Sequence, residues 1–246
     1  MIEAVFISDL HLHPGESIIT ERFQRFTSWA ATNTRSVYIL GDFFHVWAGD
    51  DAFDAWSASI ASQLAGLAEK GVALYFMRGN RDFLLGDLFA KRAHVEMLTE
   101  PSLITLGGER VLLVHGDRYC TLDKGHQWLR RLTRNTIFPT VFLRIPLAWR
   151  NHLVNTIRKT SQANRNKPAS TMDVVPAVML EHMKQANVEI VVHGHTHKPG
   201  LTTYHCNTGT YKQYILSDWD DNPKILCYNE SLGFYFESLI KELHHA

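Results

Sequence analysis

The sequence predicts an α/β protein, and three observations predict it. Short β-branched or aromatic runs alternate with longer stretches of helical spacing through the first half of the chain. After residue 187 the chain becomes rich in strand-like runs. Between these two regions, residues 124–172 contain no acidic residue and read as helices inserted into an α/β core.

The elements follow in order. EAVFIS, VYIL and VALYFM read as buried strands, because each is short, almost wholly apolar and built from residues that fit a pleated surface. Residues 17–33 and 52–70 place apolar side chains at helical spacing between them. SLITLGGERVLLVHG reads as a hairpin turning at Gly107-Gly108. VEIVVHG is a further buried strand, followed by strand-like runs near 200–206, 224–228 and 233–237. No internal repeat or low-complexity stretch interrupts the pattern.

The segment 124–172 holds ten of the chain's 25 Lys and Arg residues: Lys124, Arg130, Arg131, Arg134, Arg144, Arg150, Arg158, Lys159, Arg165 and Lys167. Apolar and aromatic residues are interleaved with them, and Trp149, Leu153, Val154 and Ile157 share one helical face. Pro139 and Pro146 divide the segment into two or three helices.

Composition sets the outer limits. The 246 residues are 45% hydrophobic and 20% charged, with a formal net charge of zero, as in a soluble globular protein long enough to bury a real core. Cys120, Cys206 and Cys227 are few, odd in number and far apart, which excludes a disulfide framework and points to a reducing compartment. The N-terminal MIEAVFISDL reads as a strand rather than a signal peptide, and no apolar run is long enough to span a bilayer. A cytoplasmic protein, able to touch a membrane surface, is expected.

Five stretches carry the chemistry. Asp9 and His11 stand in SDLHLH, Asp42 in LGDFFHVWAGDD, Asn80 and Arg81 in MRGNRDF, His115 in LVHGD, and His193, His195 and His197 in VVHGHTHKPG. Each follows a predicted buried strand and sits at a glycine or tight turn, where ligands of α/β sheets collect. Leaving His193 as a buried hydrogen-bonding residue, the donors are two Asp, one Asn and four His. Mixed oxygen and nitrogen donors without thiolate suit Mn, Fe, Co or Zn. Seven donors are too many for one ion with an open position; they suit two ions sharing a carboxylate, roughly 3.5–4 Å apart, which is a clamp for displacement at phosphorus. A lone D-x-H or a single strand-end histidine would mean little. Five such pieces in this order form a site.

The pattern D-x-H, G-D, G-N, H-G-D and G-H-x-H over residues 9–197 resembles the calcineurin-like metallophosphoesterases. SDLHL, GDFFHVWAGDD, RGNRDFLLG, LVHGDRYCTLD, NRNKP, TMDV and HGHTHKP resemble more closely the branch of that family that splits the pyrophosphate of UDP-2,3-diacylglucosamine. The resemblance implies an α/β/β/α sandwich, with residues 1–122 and 168–246 as core and 123–167 as an inserted helical lid. It implies two Mn²⁺ ions, although the donor types alone also admit Fe, Co or Zn. Asp9, His11, Asp42 and His197 would hold one ion, and Asp42, Asn80, His115 and His195 the other, with Asp42 bridging. It further implies attack by an activated water on the phosphorus nearer uridine, giving UMP and 2,3-diacylglucosamine 1-phosphate in lipid A biosynthesis. Asn80, Arg81, Asp123, Thr160, Asn164, Lys167 and His195 would contact substrate, and Thr160, Asn164 and Lys167 fall on one helical face. This chain has Thr160 where the pattern has Ser, and His45 where close relatives would carry Glu.

Arg81 bears on the leaving group without the resemblance. Arginine does not give up its proton at ordinary pH, so it cannot serve as general acid, but it stabilises charge on phosphate oxygens. A phosphate leaving from a pyrophosphate fits; a simple alcohol fits poorly. The plain alternative is an Arg paired structurally with Asp82 or Asp117.

The basic segment admits three readings: a solvated charged face, a single-stranded nucleic-acid surface, or a lid whose apolar face takes acyl chains while its cations meet diphosphate and anionic headgroups. The absence of acidic partners within the segment weighs against the first, and the resemblance favours the third. The expected partners are therefore a lipid-linked nucleotide and the anionic cytoplasmic surface of the inner membrane, with no nucleic acid, and a monomer is expected. A two-metal pyrophosphatase or phosphodiesterase acting on a soluble nucleotide is the nearest rival. A non-catalytic RNA- or membrane-binding scaffold is disfavoured, because all seven donors are present. His13, His94, His126, His152, His182 and His205 are expected to be surface or structural, Asp50 and Asp51 to shape the loop after Trp47, and Cys206–Gly209 to form a turn near the site.

Overall fold

The computed structural model describes residues 1–135, 137–163 and 168–239, with side chains described for all of these except 155, 157–163 and 169. In chain order the elements are β1 (Ala4–Ile7), α1 (Ser17–Asn33), β2 (Ser36–Leu40), α2 (Ala55–Glu69), β3 (Ala73–Met77), α3 (Asp87–Ala93), β4 (Glu96–Leu98), β5 (Ser102–Leu106), β6 (Glu109–Leu113), α4 (Lys124–Thr133), α5 (Ile137–Phe142), α6 (Leu147–Ala163), α7 (Pro176–Ala186), β7 (Ile190–His193), β8 (Gly200–Cys206), β9 (Gly209–Ile215), β10 (Lys224–Asn229) and β11 (Gly233–Ser238).

The strands form two sheets. One has the order β11-β10-β1-β2-β3-β4, with β1 to β4 parallel and β10 and β11 antiparallel. The other has the order β5-β6-β7-β9-β8, with β6, β7 and β9 parallel. Strand periodicity separates the layers. Val5, Ile7, Val37, Ile39 and Phe76 face Phe23, Phe26, Ile60, Leu64 and Phe89 of α1 to α3. Ala4, Phe6, Leu40 and Met77 face Val111, Leu113, Ile190 and Val192 of the second sheet. Leu112 and Val191 face Met179 and Met183 of α7. Helices, sheet, sheet and helix therefore stack as an α/β/β/α sandwich.

The differences from the sequence reading have local causes. Helix α2 starts at Ala55 rather than 52, because Asp54 caps it through a reciprocal pair with Ser57, and Asp50–Ala52 form a separate 3-10 turn. Strand β9 was not foreseen, yet it lies between β7 and β8. The Cys206–Gly209 turn joins β8 to β9 at the end of the sheet opposite the site, since His193 pairs with Ile215 at the far end of β9. The expectation of a turn near the site is corrected accordingly. Three helices, α4 to α6, occupy the basic segment; Pro146 immediately precedes α6, and Pro139 sits in the first turn of α5, where its missing N–H costs nothing.

Candidate metal centre

The strands β1, β2, β3, β6 and β7 deliver the predicted donors at their carboxyl ends. The loop after β1 runs alongside the loop after β2: Asp9 N donates to Gly41 O at 3.0 Å, His11 N to Asp42 O at 3.0 Å, and Leu12 N to Phe43 O at 2.8 Å. In the other sheet, Gly194 N donates to His115 O at 2.9 Å. Two glycines permit close approach rather than a special φ. A Cβ at Gly79 would fall 2.2 Å from Asp42 N, and one at Gly194 would fall 2.3 Å from Asp9 Oδ2.

The donors then converge. Asp9, His11 and His197 form one group, and Asp42, His115 and His195 a second, each with ligand atoms within 4.8 Å of one another. Asp42 lies between them, with Oδ2 3.6 Å from His11 Nε2 and Oδ1 3.6 Å from His115 Nε2. Asn80 Oδ1 is 3.0 Å from His115 Nε2. Asp9, His11, Asp42, His195 and His197 all have φ between 52° and 71°, a left-handed conformation that non-glycine residues rarely adopt. Such backbone costs of order 1–3 kcal/mol per residue and persists where surrounding structure enforces it, as at functional sites.

These residues fit divalent cations on three grounds. Asp9 Oδ1 and His11 Nε2 are buried and have no hydrogen-bond partner. The imidazoles are oriented from behind: His115 Nδ1 donates to Leu40 O at 2.8 Å, and His197 Nδ1 lies 3.3 Å from Asp218 Oδ2, which leaves Nε2 of each to the site. A neutral His115 so oriented turns a lone pair toward Asn80 Oδ1, and two lone pairs at that separation need a proton or a cation between them.

The electrostatics agree. Burial opposes the charge on Asp42, but His115, His11 and Arg81 hold its carboxyl well below the usual range. Burial likewise opposes an imidazolium at His115, yet Asp42, with Asp117 and Asp9, raises it to about 9. His197 is raised to about 10, burial being outweighed by Asp218 and Asp9. His195 goes the other way: burial and the charge of His115 push it down to about 4. The cage thus draws positive charge, and protons supply it where cations do not.

Arg81 joins this centre. Its backbone N–H donates to Asp42 Oδ1 at 2.9 Å, and its Nε lies 3.3 Å from Asp42 Oδ2. It is not the partner of Asp82 or Asp117. Asp82 is buried and accepts from Gly79 N at 2.6 Å and Phe43 N at 2.8 Å, which sews the loop after β3 to the loop after β2. Burial, reinforced by the charge of Asp42, raises Asp82 to about 6. His193 is fully buried; its Nδ1 donates to Gly194 O and its Nε2 accepts from Gln213 Nε2, both at 2.8 Å. Tyr204 Oη donates in turn to Gln213 Oε1 at 2.7 Å. This chain supports the Gly194–His197 turn from inside.

Several supporting residues escaped the sequence reading. His126, expected to be surface or structural, sets its ring 5.2 Å from that of His195, with Nε2 3.6 Å from Asp117 Oδ2. Asp82 and Asp117 were visible as the acids of GNRD and HGD. Glu100, which accepts from His115 N at 3.1 Å, and Asp218 carry no motif. The His45 ring lies 4.7 Å from that of His13, tilted by 41°. Asp123 caps α4, accepting from His126 N at 3.0 Å. The Thr160 side chain, Asn164 and Lys167 lie outside the described residues.

The basic segment has acidic partners after all, contributed by the core. Arg130 pairs with Asp117 at 3.1 Å and Glu100 at 3.2 Å, Arg134 with Glu100 at 3.3 Å, and Arg150 with Asp51. Asp50 shapes its loop as expected, accepting from Trp47 Nε1 and from Gly86 N and Leu88 N at the start of α3. Trp128, Ile137, Val141 and Trp149 remain more than half exposed on α4 to α6. Among the described residues, no helix is long and apolar enough to cross a membrane.

Residues 3–199 match the family model of the calcineurin-like phosphoesterases. The chain is 39% identical to a UDP-2,3-diacylglucosamine hydrolase of Aeromonas hydrophila over 92% of this chain and 94% of the relative. It is 42% identical to the enzyme of that name from Stutzerimonas stutzeri over 88% of this chain and 90% of the relative. Against that from Pseudomonas aeruginosa it is 41% identical over 89% and 92%.

Proposed function

The chain belongs to the calcineurin-like phosphoesterase family, a family of metal-dependent hydrolases, and from that premise we propose that it hydrolyses the pyrophosphate bond of UDP-2,3-diacylglucosamine to UMP and 2,3-diacylglucosamine 1-phosphate. The observation that carries the reading is the pair of three-donor groups on either side of Asp42, with Arg81 attached to the same carboxylate. The relatives named for this substrate align with nearly the whole chain, not only with the motifs.

In this reading Asp9, His11, Asp42 and His197 hold one divalent cation, and Asp42, Asn80, His115 and His195 a second, with manganese the proposed metal. When bound, such a pair supplies charge neutralisation at phosphorus and activation of water for in-line attack. The remaining work falls to the chain. Asp42 is held ionised and fixed by the Arg81 backbone. The Arg81 guanidinium, 30% exposed, reaches the space above Asp42 and stabilises charge on the phosphate oxygens without giving up its proton. The departing phosphate monoester needs no protonation, so the arginine suffices. Attack falls on the phosphorus nearer uridine.

Residues 123–167 act as the lid over a core of 1–122 and 168–246. The exposed Trp128, Ile137, Val141 and Trp149 offer apolar surface to acyl chains, and the exposed Lys124, Arg131 and Arg144 offer charge to anionic headgroups at the cytoplasmic face of the inner membrane. Asp123, Thr160, Asn164, Lys167 and His195, with Asn80 and Arg81, contact the substrate.

The test is hydrolysis of UDP-2,3-diacylglucosamine by metal-stripped protein with and without Mn²⁺, beside Asp42→Ala. UMP that forms only with metal, and not in the variant, is expected. Cleavage of a generic phosphodiester or a soluble nucleotide diphosphate sugar without cleavage of the lipid would overturn the substrate and leave the two-metal centre standing.

A further inference from the structure

Among the described residues Arg150 is the one Lys or Arg that is buried, and none of its surface is exposed. It stands in the first turn of α6, the pole of a helix that disfavours positive charge. Local helix electrostatics therefore do not account for it, and tertiary partners do. Its Nε donates to Ile145 O at 2.8 Å, Nη1 donates to Ala48 O, and Nη2 donates to Asp51 Oδ2. The Asp51 side chain is 57% exposed, so the ion pair alone contributes little, and the two carbonyls make the seat specific. The socket is shaped for this occupant. Gly49 has φ 126°, and a Cβ there would fall 2.6 Å from Leu143 Cδ2 and closer still to Arg150 Nη1.

The socket is also connected to the reaction centre. Trp47, two residues before Gly49, donates its N–H to Arg81 O at 3.1 Å. One short loop thus holds the backbone of Arg81 on one side and the root of α6 on the other. We propose that Arg150 is a positioning residue, a latch that seats α6 against the loop after β2 and so sets the distance between Arg81 and the backbone of α6 near residue 160, where a substrate contact is proposed. The last clause rests on the function proposed above; the seating itself does not. The lever is long: ten residues of helix from Arg150 to residue 160 span about 15 Å, so a tilt of about 5° at the root moves that position by about 1.3 Å. A misplacement of that order at a remote contact costs on the order of a hundredfold in rate.

The test compares wild type with Arg150→Met and Arg150→Lys on two substrates, UDP-2,3-diacylglucosamine and bis(4-nitrophenyl) phosphate, the latter lacking the sugar and acyl chains that the proposed contacts on α6 would serve. With the lipid, kcat/KM is expected to fall by about ten- to a hundredfold, while kcat/KM on the small diester stays within about twofold. Lysine keeps the charge but cannot fork to three acceptors, so it should not rescue. Hydrogen exchange reads the latch without any substrate: amides of 147–156 should exchange faster in Arg150→Met, with β1, β2 and β7 unchanged. Equal losses on both substrates, full rescue by lysine, or unchanged exchange in α6 would each overturn the proposal. If Arg150→Met does not fold, Asp51→Asn at the exposed end of the seat should show the same split at about threefold, within the range of a weakened charged hydrogen bond; no split would sink the latch. If wild type cleaves the diester and not the lipid, the proposed substrate fails, and the exchange measurement still decides the seating.

Discussion

The buried chain Tyr204–Gln213–His193–Gly194 can be cut at one atom. Gln213→Leu preserves the approximate volume and removes the donor to His193 Nε2. That nitrogen lies in a fully buried ring whose Nδ1 is already committed to Gly194 O, so no rotation or tautomer change offers it another partner. Protonation cannot rescue it either: burial pushes His193 down to about 4, and it stays neutral at pH 7. An orphaned buried acceptor costs about 1–3 kcal/mol. Taking about 2 kcal/mol, and about 2–4 °C per kcal/mol for a chain of this size, the metal-free protein should melt about 4–8 °C lower. The second effect is on the turn that Gly194 O anchors: it carries His195 and His197, so metal affinity should fall as well. Calorimetric melting of the metal-free protein and a Mn²⁺ titration measure the two. Tyr204→Phe, which removes only the outer, half-buried hydroxyl, should leave affinity unchanged. A Gln213→Leu protein with wild-type melting and wild-type affinity would refute the argument that this chain supports the site.

Three further outcomes follow from the same geometry. Metal-stripped protein should melt lower than the Mn²⁺-loaded form, since a cation present at a hundred times its Kd adds about 2.7 kcal/mol per site; superimposable melting curves would count against both proposed ion sites. Arg81→Lys should lower kcat/KM on the lipid by about one to two orders of magnitude while leaving metal content unchanged, because it removes the fork and keeps the charge; a change in metal content would instead make Arg81 a support of Asp42. In metal-free protein Asp82 binds its proton up to about 6 when folded but only to its ordinary 3.8 when unfolded, so its own contribution to stability falls as pH rises through that window, against the rise contributed by His193 and His195, each pushed down to about 4. Asp82→Asn should therefore make stability rise more steeply with pH in a urea-melt series from pH 4 to about 6.5, and an unchanged slope would refute the assignment to Asp82.

The parts of the molecule that are legible in the sequence are those in which local pattern and tertiary role coincide. Strands β1, β2, β3, β6 and β7 are nearly continuous apolar runs because both faces are covered, and the donors stand out because each ends such a run in a turn. Strand β9 hides for the opposite reason. Its GTYKQYI places Gln213 in the interior, where it is polar in order to hold His193, and that breaks the apolar signal. Glu100 and Asp218 reach the site from loops, and nothing in their neighbours announces it. The partners of Arg130, Arg134 and Arg150 are not legible because they lie outside the basic segment and remote in sequence: Glu100 precedes Arg130 by 30 residues, and Asp51 precedes Arg150 by 99.

The division of donors between the sheets has a mechanical meaning. Asp9, His11, Asp42 and Asn80 hang from the six-stranded sheet, while His115, His195 and His197 hang from the five-stranded one. Each proposed ion draws on both. A cation held there would be a rivet through the edge of the sandwich, loaded in shear whenever the two sheets slide past one another. Any softening of the interface between them therefore changes the spacing at the reacting phosphorus directly, and rigidity of the whole body and geometry of the reaction become one quantity, set at the rivet line.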